Sequence, residues 1–561
     1  MAKIGEILVK KGILDVQQLD SALAESKETG KAIGRVLLDF NFVTERQLLQ
    51  TLADQLGLIF YPSLNDISVP QEVIDNVAVK LVWHYKIMPL QIKDKILVIA
   101  VSDPMAIWFL DDLKLRLGYD IERVLATESD IQVAIRKYYG FGADTMDKIL
   151  SEEKNMEFEP QQKKDESTID LAADSEKSRQ GTSVIKLVNQ ILSESVSLRA
   201  TDIHLEPYRD NVRARHRIDG VLYDINVSTQ IKYLYPEIVS RIKILSGLNV
   251  IEKRLPQDGR AIIKLDNQQV DLRISVIPSI YGEGIVIRIL PMNFLFSFQE
   301  LGFSSDSLSV LENTMQKPYG IIFLTGPTGS GKTTTLYTCL NKINTDEIKI
   351  ITIEDPVEYE LNGIMQIHVK PNIGFTFARA LRSILRHDPD VMMVGEVRDL
   401  ETAELAIRTA LTGHRMFSTL HTNDAASGAT RLIDLGIEPF LIASSVNAFI
   451  SQRLVRKICL HCKEEVKKTE PLPECFKGIK TYKGKGCDEC NFIGYKGRTV
   501  IYEILPVLTE IQQLILNRAS SSEIRKKADE LGLRKLIDVG IEKVRQGITT
   551  PEEILKVTKL S

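Results

Sequence analysis

Eight residues, Gly326-Pro327-Thr328-Gly329-Ser330-Gly331-Lys332-Thr333, have the types and spacing of a phosphate cradle. Glycine lets backbone N–H groups wrap an anion with no Cβ in the way. Lys332 is placed to reach β- and γ-phosphates, and the Thr333 hydroxyl to ligate Mg²⁺. An apolar run, Ile321-Ile322-Phe323-Leu324, precedes the loop, and a helical segment beginning Thr334-Thr335-Leu336-Tyr337 follows it. Strand, glycine loop and helix form the context such a loop requires, and the helix turns its positive end on the same anion. Thr334 completes the predicted nucleotide-binding set. The competing reading is a chance glycine turn.

Phosphoryl transfer to water needs more than a cradle: a carboxylate to orient the water, Mg²⁺, and cations on the γ-phosphate. Glu396, just beyond Val391-Met392-Met393-Val394, fits the acidic Walker B position. The aspartate expected before it is replaced by Gly395. Glu354 and Glu358, in Ile353-Glu354-Asp355-Pro356-Val357-Glu358, are the alternative carboxylates. One of Glu354 and Glu396 should position water and the other hold magnesium through water; the residues leave open which. Glu358 reads equally well as a surface carboxylate. Arg379, Arg382 and Arg386 share one face of a predicted helix over 377–386, either a solvated surface or an interface that meets phosphate. His414 and His421 bracket a predicted strand, Met416–Leu420, and His421 at the strand end is the functional candidate.

A second chemistry is written in cysteine. Cys459-Leu460-His461-Cys462 and Cys487-Asp488-Glu489-Cys490 are two Cys-x2-Cys knuckles separated by 24 residues. Four thiolates suit tetrahedral Zn²⁺ with no open position, hence a structural site. Cys475 lies between the knuckles as a spare, and Cys339 reads as a core thiol.

These groups need a scaffold. The apolar strands Ile321–Leu324, 348–353, Val391–Val394 and Met416–Leu420 end in Gly326, Glu354-Asp355, Gly395-Glu396 and His421. Ligands bind beyond the carboxyl ends of strands in open α/β sheets, so all four ends should face one site on a parallel, RecA-like sheet. This domain spans 298–561, with the zinc insertion at 456–500 and helices over 506–561. The last helix should open at Thr550-Pro551-Glu552-Glu553, with a cap, proline at the first helical position and Glu at the third.

Residues 181–297 read as a separate α+β domain. A helix carries Ile185, Val188 and Leu192 on one stripe, and hairpins turn at Asp219-Gly220 and near Asp266-Asn267. Val270, Leu272, Ile274 and Val276 alternate with Asp271, Arg273 and Ser275; Ile285, Ile287 and Ile289 alternate with Arg288. The arginines on these polar faces read as solvated or paired with Asp271 and Glu283. Residues 141–180 are polar and unpatterned, a flexible linker. Residues 61–140 read as an α/β unit, with a strand at Ile96–Val101 and a helix starting at Asp103-Pro104. Residues 1–60 hold a repeat offset by 29 residues: Ile4-Gly5, Leu8, Gln18-Leu19 and Leu23-Ala24 recur as Ile33-Gly34, Leu37, Gln47-Leu48 and Leu52-Ala53. Asp15 and Thr44 sit where helix N-caps belong.

With 561 residues, 44% hydrophobic and 26% charged, the chain has material for about three or four soluble domains. Its formal charge of −4 argues against a dedicated nucleic-acid binder. No apolar run reaches the roughly 18 residues of a membrane span, and the first residues lack a signal-peptide core. A cytoplasmic location is expected, with membrane association through partners.

Together the motifs resemble the secretion ATPases of type II secretion and type IV pilus assembly (the GspE/PilB family). The resemblance is carried by Gly326–Thr335, Thr352–Glu358, Leu385–Asp390 through Gly395–Asp399, and Gly413-His414 through Asn423. Arg254–Arg260, Asp202–Pro207 and the cysteine pairs carry it too. It implies an α/β multidomain chain with a PAS-like domain ahead of the RecA-like ATPase domain, a mostly helical N-terminal module and a small tetracysteine zinc subdomain. It implies ATP, Mg²⁺ and Zn²⁺ as ligands, and Arg273 and Arg288 reaching the nucleotide phosphates to join Lys332, Glu354, Glu396 and His421 in catalysis. It implies a homohexamer, peripheral at the inner membrane through a platform protein and the cytoplasmic domain of a membrane-anchored adaptor, driving assembly of a pilus or pseudopilus. The four cysteines point to the assembly branch, and the run Thr430–Ser445 resembles type II secretion more than pilus assembly. The N-terminal repeat resembles the MshEN module, which in some relatives binds cyclic di-GMP. Gly5, Gly12 and Gln55 are kept, while Lys3, Ala32 and Asn41 depart from the pattern; docking to a membrane-protein partner is the competing reading. The rival for the whole chain is a nucleic-acid-translocating RecA-like motor, and behind it a nucleotide-binding regulator without turnover.

Overall fold

The computed structural model describes residues 4–64, 67–77, 81–82, 85–104, 110–139, 169–170, 183–225, 227, 231–265, 268–291, 296–466 and 473–558. The chain forms two compact units, Met1–Ile289 and Leu290–Ser561.

In the first unit the repeat is two copies of a helical pair: Ile4–Lys10 with Val16–Thr29, and Ile33–Asp39 with Glu45–Leu56. Asp15 and Thr44 cap the longer helices as expected. Their side chains accept the N–H groups of Gln18 and Gln47 at 2.7 and 3.3 Å, and each glutamine accepts the cap N–H in return. The repeated glycine has a packing cause. A Cβ on Gly5 would lie 2.3 Å from Leu19, and one on Gly34 3.3 Å from Leu48. Asn41 keeps the left-handed turn of Gly12, with φ of 55° against 69°, a conformation asparagine tolerates. The expected border near residue 60 is no break in packing, because Ala53 joins the core of the following α/β unit. That unit has a three-stranded sheet, β1 (Met88–Lys93), β2 (Ile96–Val101) and β3 (Asp120–Leu125), antiparallel then parallel. Its helix is described over Leu110–Leu117; the start expected at Asp103-Pro104 reaches into residues outside the described ones, as does Lys3.

The expected linker also lies outside the described residues, except that Ile169-Asp170 (β4) pairs in parallel with β8 (Gln257–Leu265). β4 is the edge of a seven-stranded sheet ordered β4-β8-β9-β10-β5-β6-β7, with β5 Ala200–Pro207, β6 Val212–Ile218, β7 Val221–Ile225, β9 Gln268–Ser279 and β10 Gly282–Pro291. The β6–β7 turn falls at Asp219-Gly220 with both φ angles positive, the primed hairpin turn. The β8–β9 register pairs Leu265 with Gln268 around the other predicted turn. On the helix Ser183–Ser197 the buried stripe runs through Val184, Leu187, Val188, Ile191 and Leu192, so Val188 and Leu192 lie on it as expected and Ile185 at its edge.

The second unit is built on a seven-stranded sheet ordered β13-β12-β14-β15-β11-β16-β19. β11 (Gly320–Thr325), β12 (Ile350–Glu354), β14 (Val391–Val394) and β15 (Arg415–Leu420) are the four predicted strands, all parallel. Both faces are covered, so they read as unbroken apolar runs. Ile321, Phe323, Ile353 and Val394 face one core and Ile322, Leu324, Ile350 and Val391 the other. Three strands of this sheet escape the sequence reading, β13 (Ile364–His368) and the long antiparallel pair β16 (Val446–Ile458) and β19 (Tyr495–Pro506), as does a separate antiparallel pair within the cysteine insertion, β17 (Lys463–Glu465) and β18 (Tyr482–Gly484). The cysteine insertion is therefore shorter than 456–500, because it runs only from the end of β16 to the start of β19.

The last helix, Pro551–Val557, has Thr550 as cap and proline at its start, as expected. The Glu553 side chain does not turn back to the cap as a capping box would; only the Glu553 N–H bonds Thr550. Arg456 of β16 donates to both Glu553 carboxylate oxygens, at 3.0 and 2.7 Å, and stacks over Tyr495. Burial raises the Glu553 pKa, but hydrogen bonds from Arg456 and Lys556 outweigh it and hold the carboxyl at about 2. A carboxyl lowered in the folded state stabilises fully above its ordinary value of 4.5 and loses that contribution as pH falls toward 2. Glu553→Gln should strand a buried guanidinium and cost roughly 3–5 kcal/mol at neutral pH. The deficit against the parent, read from thermal or denaturant unfolding, should shrink below about pH 4; a deficit equal at pH 7 and pH 3 would contradict the pair.

Candidate functional site

The loop after β11 is shaped by three glycines with positive φ, 149° at Gly326, 78° at Gly329 and 86° at Gly331. At Gly326 no side chain fits: a Cβ would lie 2.6 Å from Ser330 Oγ and 2.8 Å from the Gln452 carbonyl. The helix Lys332–Ile343 starts with Gly331 as its cap and no side-chain acceptor on its first N–H groups, the arrangement that receives an anion. Ser330 Oγ is buried without a hydrogen-bond partner. Lys332 is buried as well, its Nζ donating to the carbonyls of Gly326 at 2.7 Å and Pro327 at 3.1 Å. Burial brings its pKa down to about 8, against the pull of Glu396, with Arg453 adding to the decrease. A loop of outward N–H groups, an orphaned hydroxyl and a desolvated ammonium fit a polyphosphate.

Glu396 and His421 come together beyond the ends of β14 and β15. Glu396 Oε2 lies 3.4 Å from His421 Nε2, and Oε1 accepts from Arg398 at 2.7 Å. Thr419 Oγ1 donates to the Gly395 carbonyl at 2.8 Å and Ser418 Oγ to the Val394 carbonyl at 2.7 Å, which fixes the two strand ends together. Pro327, Thr328, His421, Thr422 and Asn423 line an open cleft of about 350 Å³. Thr333, one residue into the helix, is half-buried and offers its hydroxyl where Mg²⁺ would be held.

Glu354 is placed differently. It is 3% exposed; Oε1 accepts from Thr352 at 2.6 Å and Gln366 at 3.1 Å, and Oε2 accepts the Tyr337 hydroxyl. Burial raises its pKa against those three donors, with Glu358 nearby adding to the rise. Tyr337 belongs to the helix that follows the phosphate loop, so Glu354 ties that helix to the end of β12. The Glu358 N–H donates to the same hydroxyl. His414 caps its own helix end, 3.3 Å from the Thr409 carbonyl. Arg382 pairs with Glu401 at 2.6 Å, while Arg379 and Arg386 reach backbone carbonyls, so this helix face reads as a paired surface.

Arg273 and Arg288 lie in the first unit, on β9 and β10. Arg288 pairs with Asp202 at 3.2 Å. Asp271 pairs with Arg260 at 2.8 Å and Glu283 with the buried Lys243 at 2.6 Å.

Two residues the sequence reading missed touch the loop directly. Gln452 and Arg453 lie on β16, which pairs in parallel with β11. No motif flags them, because β16 enters the site only through its register against β11.

The four cysteines converge. Sγ separations are 3.8 Å for Cys459–Cys487, Cys462–Cys490 and Cys487–Cys490. Bonds of about 2.3 Å at tetrahedral angles separate sulfurs by about 3.8 Å, the spacing Zn²⁺ requires. Backbone N–H groups of Gly486 and Gly494 point at Cys462 and Cys490 sulfurs, both at 3.3 Å. Cys475 is exposed and outside the cluster; Cys339 is fully buried, its thiol pushed up to about 12.

The family described as Type II/IV secretion system protein matches residues 177–556, and the MshEN domain matches residues 57–145. The MshEN match covers the α/β unit rather than the repeat to which the sequence resemblance assigns it. Packing against Leu19 and Leu48 and the two left-handed turns account for the repeat's Gly5, Gly34, Gly12 and Asn41. The chain is 39% identical to the Type IV pilus assembly ATPase PilB of Myxococcus xanthus, over 99% of this chain and 98% of that one. It is 38% identical to the Type II secretion system protein E of Xanthomonas campestris pv. campestris, with the same coverage. Among solved structures, the ATPase DotB of Yersinia pseudotuberculosis aligns at a TM-score of 0.51 and 23% identity, over 66% of this chain and 92% of that one.

Purified protein should carry one Zn²⁺ per chain by elemental analysis, and Cys487→Ser should lose both the metal and the local fold. A metal-free preparation with an intact, protease-resistant 459–494 segment would remove zinc from the account.

Proposed function

Since the chain belongs to the type II/IV secretion system family and is an ATP-hydrolysing motor of pilus or secretion assembly, we propose that it works as a cytoplasmic homohexamer. The ring pushes on an inner-membrane platform protein and is held there by the cytoplasmic domain of a membrane-anchored adaptor. No helix among the described residues is long and apolar enough to cross a membrane, so partners supply the attachment. The observation that carries the reading is the Glu396–His421 pair set beside the phosphate loop in a chain similar to both kinds of assembly ATPase over nearly its whole length.

ATP binding would draw Lys332 Nζ from the Gly326 and Pro327 carbonyls to the β- and γ-phosphates. Mg²⁺, held by Thr333 and a carboxylate, would neutralise charge on the phosphate oxygens. Glu396 stands next to Lys332 and His421, and Glu354 is held by Thr352, Tyr337 and Gln366; the positioning of water and the holding of magnesium are divided between these two carboxylates. His421 and Arg398 orient Glu396. Arg273 and Arg288 bring cations from the first unit, which reads as PAS-like over 181–297. Arg288 is exposed but its partner Asp202 is buried, and Asp202 keeps the Thr201 hydroxyl at 2.8 Å and Arg217 at 3.6 Å when Arg288 leaves it for the negative charge that grows on the departing phosphoryl group. Catalysis then requires the units to close, which couples hydrolysis to movement. A second reading rests on the MshEN match: the N-terminal region takes up cyclic di-GMP. Calorimetric titration of the full chain checks this, and an absence of binding removes it.

Glu396→Gln and Arg288→Ala proteins should bind ATP and form hexamers in Mg²⁺-ATP, with turnover lower by about 10²-fold or more. Sedimentation and phosphate release measure both properties. Parental turnover in matched oligomers would overturn the assignment, and a monomer under all nucleotide conditions would overturn the ring.

A further inference from the structure

We propose that Gln452 is a positioning residue for the nucleotide loop, locking the Ser330–Gly331 peptide plane so that the Gly331 N–H faces the phosphates. The inference deepens the ATP-binding reading of this loop and rests on it.

The argument starts from softness. Gly329 and Gly331 flank Ser330 with φ of 78° and 86°. Glycine visits either sign of φ at little cost, so the peptide between Ser330 and Gly331 is free to rotate unless something holds it. A trans peptide points its C=O and its N–H to opposite sides. Fixing the Ser330 carbonyl therefore fixes the Gly331 N–H. Gln452 does this: its Nε2 donates to the Ser330 carbonyl at 2.8 Å. The amide is itself fixed, because Oε1 accepts the Thr335 hydroxyl at 2.9 Å. Only one of its two flips lets it donate to the carbonyl and accept from the hydroxyl.

The bracket is rigid and close. Gln452 is fully buried, and it follows Ser451, which pairs with Thr325 at the last position of β11. Its own carbonyl lies 2.8 Å from where a Gly326 Cβ would be. Arg453 Nη1 donates to that carbonyl at 3.0 Å, and its Nη2 to the Asn423 carbonyl at 2.6 Å. The strand thus grips the loop at its first glycine and near its last. Simple packing would need neither polar end of the amide.

The test is binding of ADP to the full chain, followed by calorimetry, with kcat and KM for ATP measured alongside. Gln452→Ala should raise the ADP Kd and the ATP KM by about tenfold, the weight of one ordinary hydrogen bond to phosphate. The kcat at saturating ATP should fall by less. Gln452→Glu, isosteric but repelled by the Ser330 carbonyl, should be worse than Ala. Thr335→Val leaves Ser330 untouched and only frees the amide to flip, so it should raise the Kd severalfold. It carries the test where Gln452→Ala gives no folded protein. A Kd within twofold of the parent in folded Gln452→Ala or Thr335→Val protein overturns the lock. A parent that binds no ADP overturns the ATP-binding reading itself.

Discussion

A loop that binds phosphate through its own backbone must be made of glycine, and a loop made of glycine does not hold its shape unaided. The Leu290–Ser561 unit is arranged around that conflict. β11 delivers the loop and the helix Lys332–Ile343 carries it away, both packed in the core through Phe323, Leu336 and Tyr337. Beneath it, β16 supplies Gln452 and Arg453. To one side, β14 and β15 end in Glu396 and His421, whose positions are set by Thr419 and Ser418 hydrogen-bonding across to β14. Charge in the site is balanced at short range: Lys332 is desolvated beside Glu396, and Glu396 is shared between Arg398 and His421.

The same strand carries the site's influence outward. Arg453 joins the loop to Asn423, and Asp424 next to it pairs with Arg525 at 2.5 Å. Arg525 lies on the helix Ser521–Glu530. Glu503 of β19 sits in the same buried group, its carboxyl raised by burial and accepting the Ala425 N–H at 2.6 Å and the Leu536 N–H at 3.4 Å. Thus the segment lining the cleft after His421 and the C-terminal helices share one polar network around β16 and β19.

Much of this was legible in the residues. The phosphate loop, the four parallel strands and the cysteine pairs each have a local pattern with a local cause: glycine spacing, buried apolar runs and thiol spacing. Asp15 and Thr44 were legible because a cap is decided within four residues. What stayed hidden depends on pairing across distance. Gln452 is an ordinary glutamine until β16 is laid beside β11. β16 itself alternates poorly, since it is covered on both faces and carries Gln452, Arg453 and Arg456 inside. Glu354 is legible as a carboxylate at the end of a strand; that Tyr337 and Gln366 hold it there is not, because both partners come from other elements.

The tetracysteine site belongs to the same argument. β16 and β19 form the longest pair in the sheet, yet they are joined by a segment of 36 residues, from Cys459 to Gly494. A long connection gives a hairpin little help with its register. Cys459 follows the last residue of β16, and Cys490 lies five residues before β19 begins. A metal held by the four thiolates there would bring the strand ends together in one register, like a short turn. Register on β16 is what sets Gln452 against Ser330 and Arg456 against Glu553. A slip of one residue would turn both side chains to the opposite face of the sheet. The cysteine cluster and the nucleotide loop therefore sit at two points of one strand, whose alignment the loop requires.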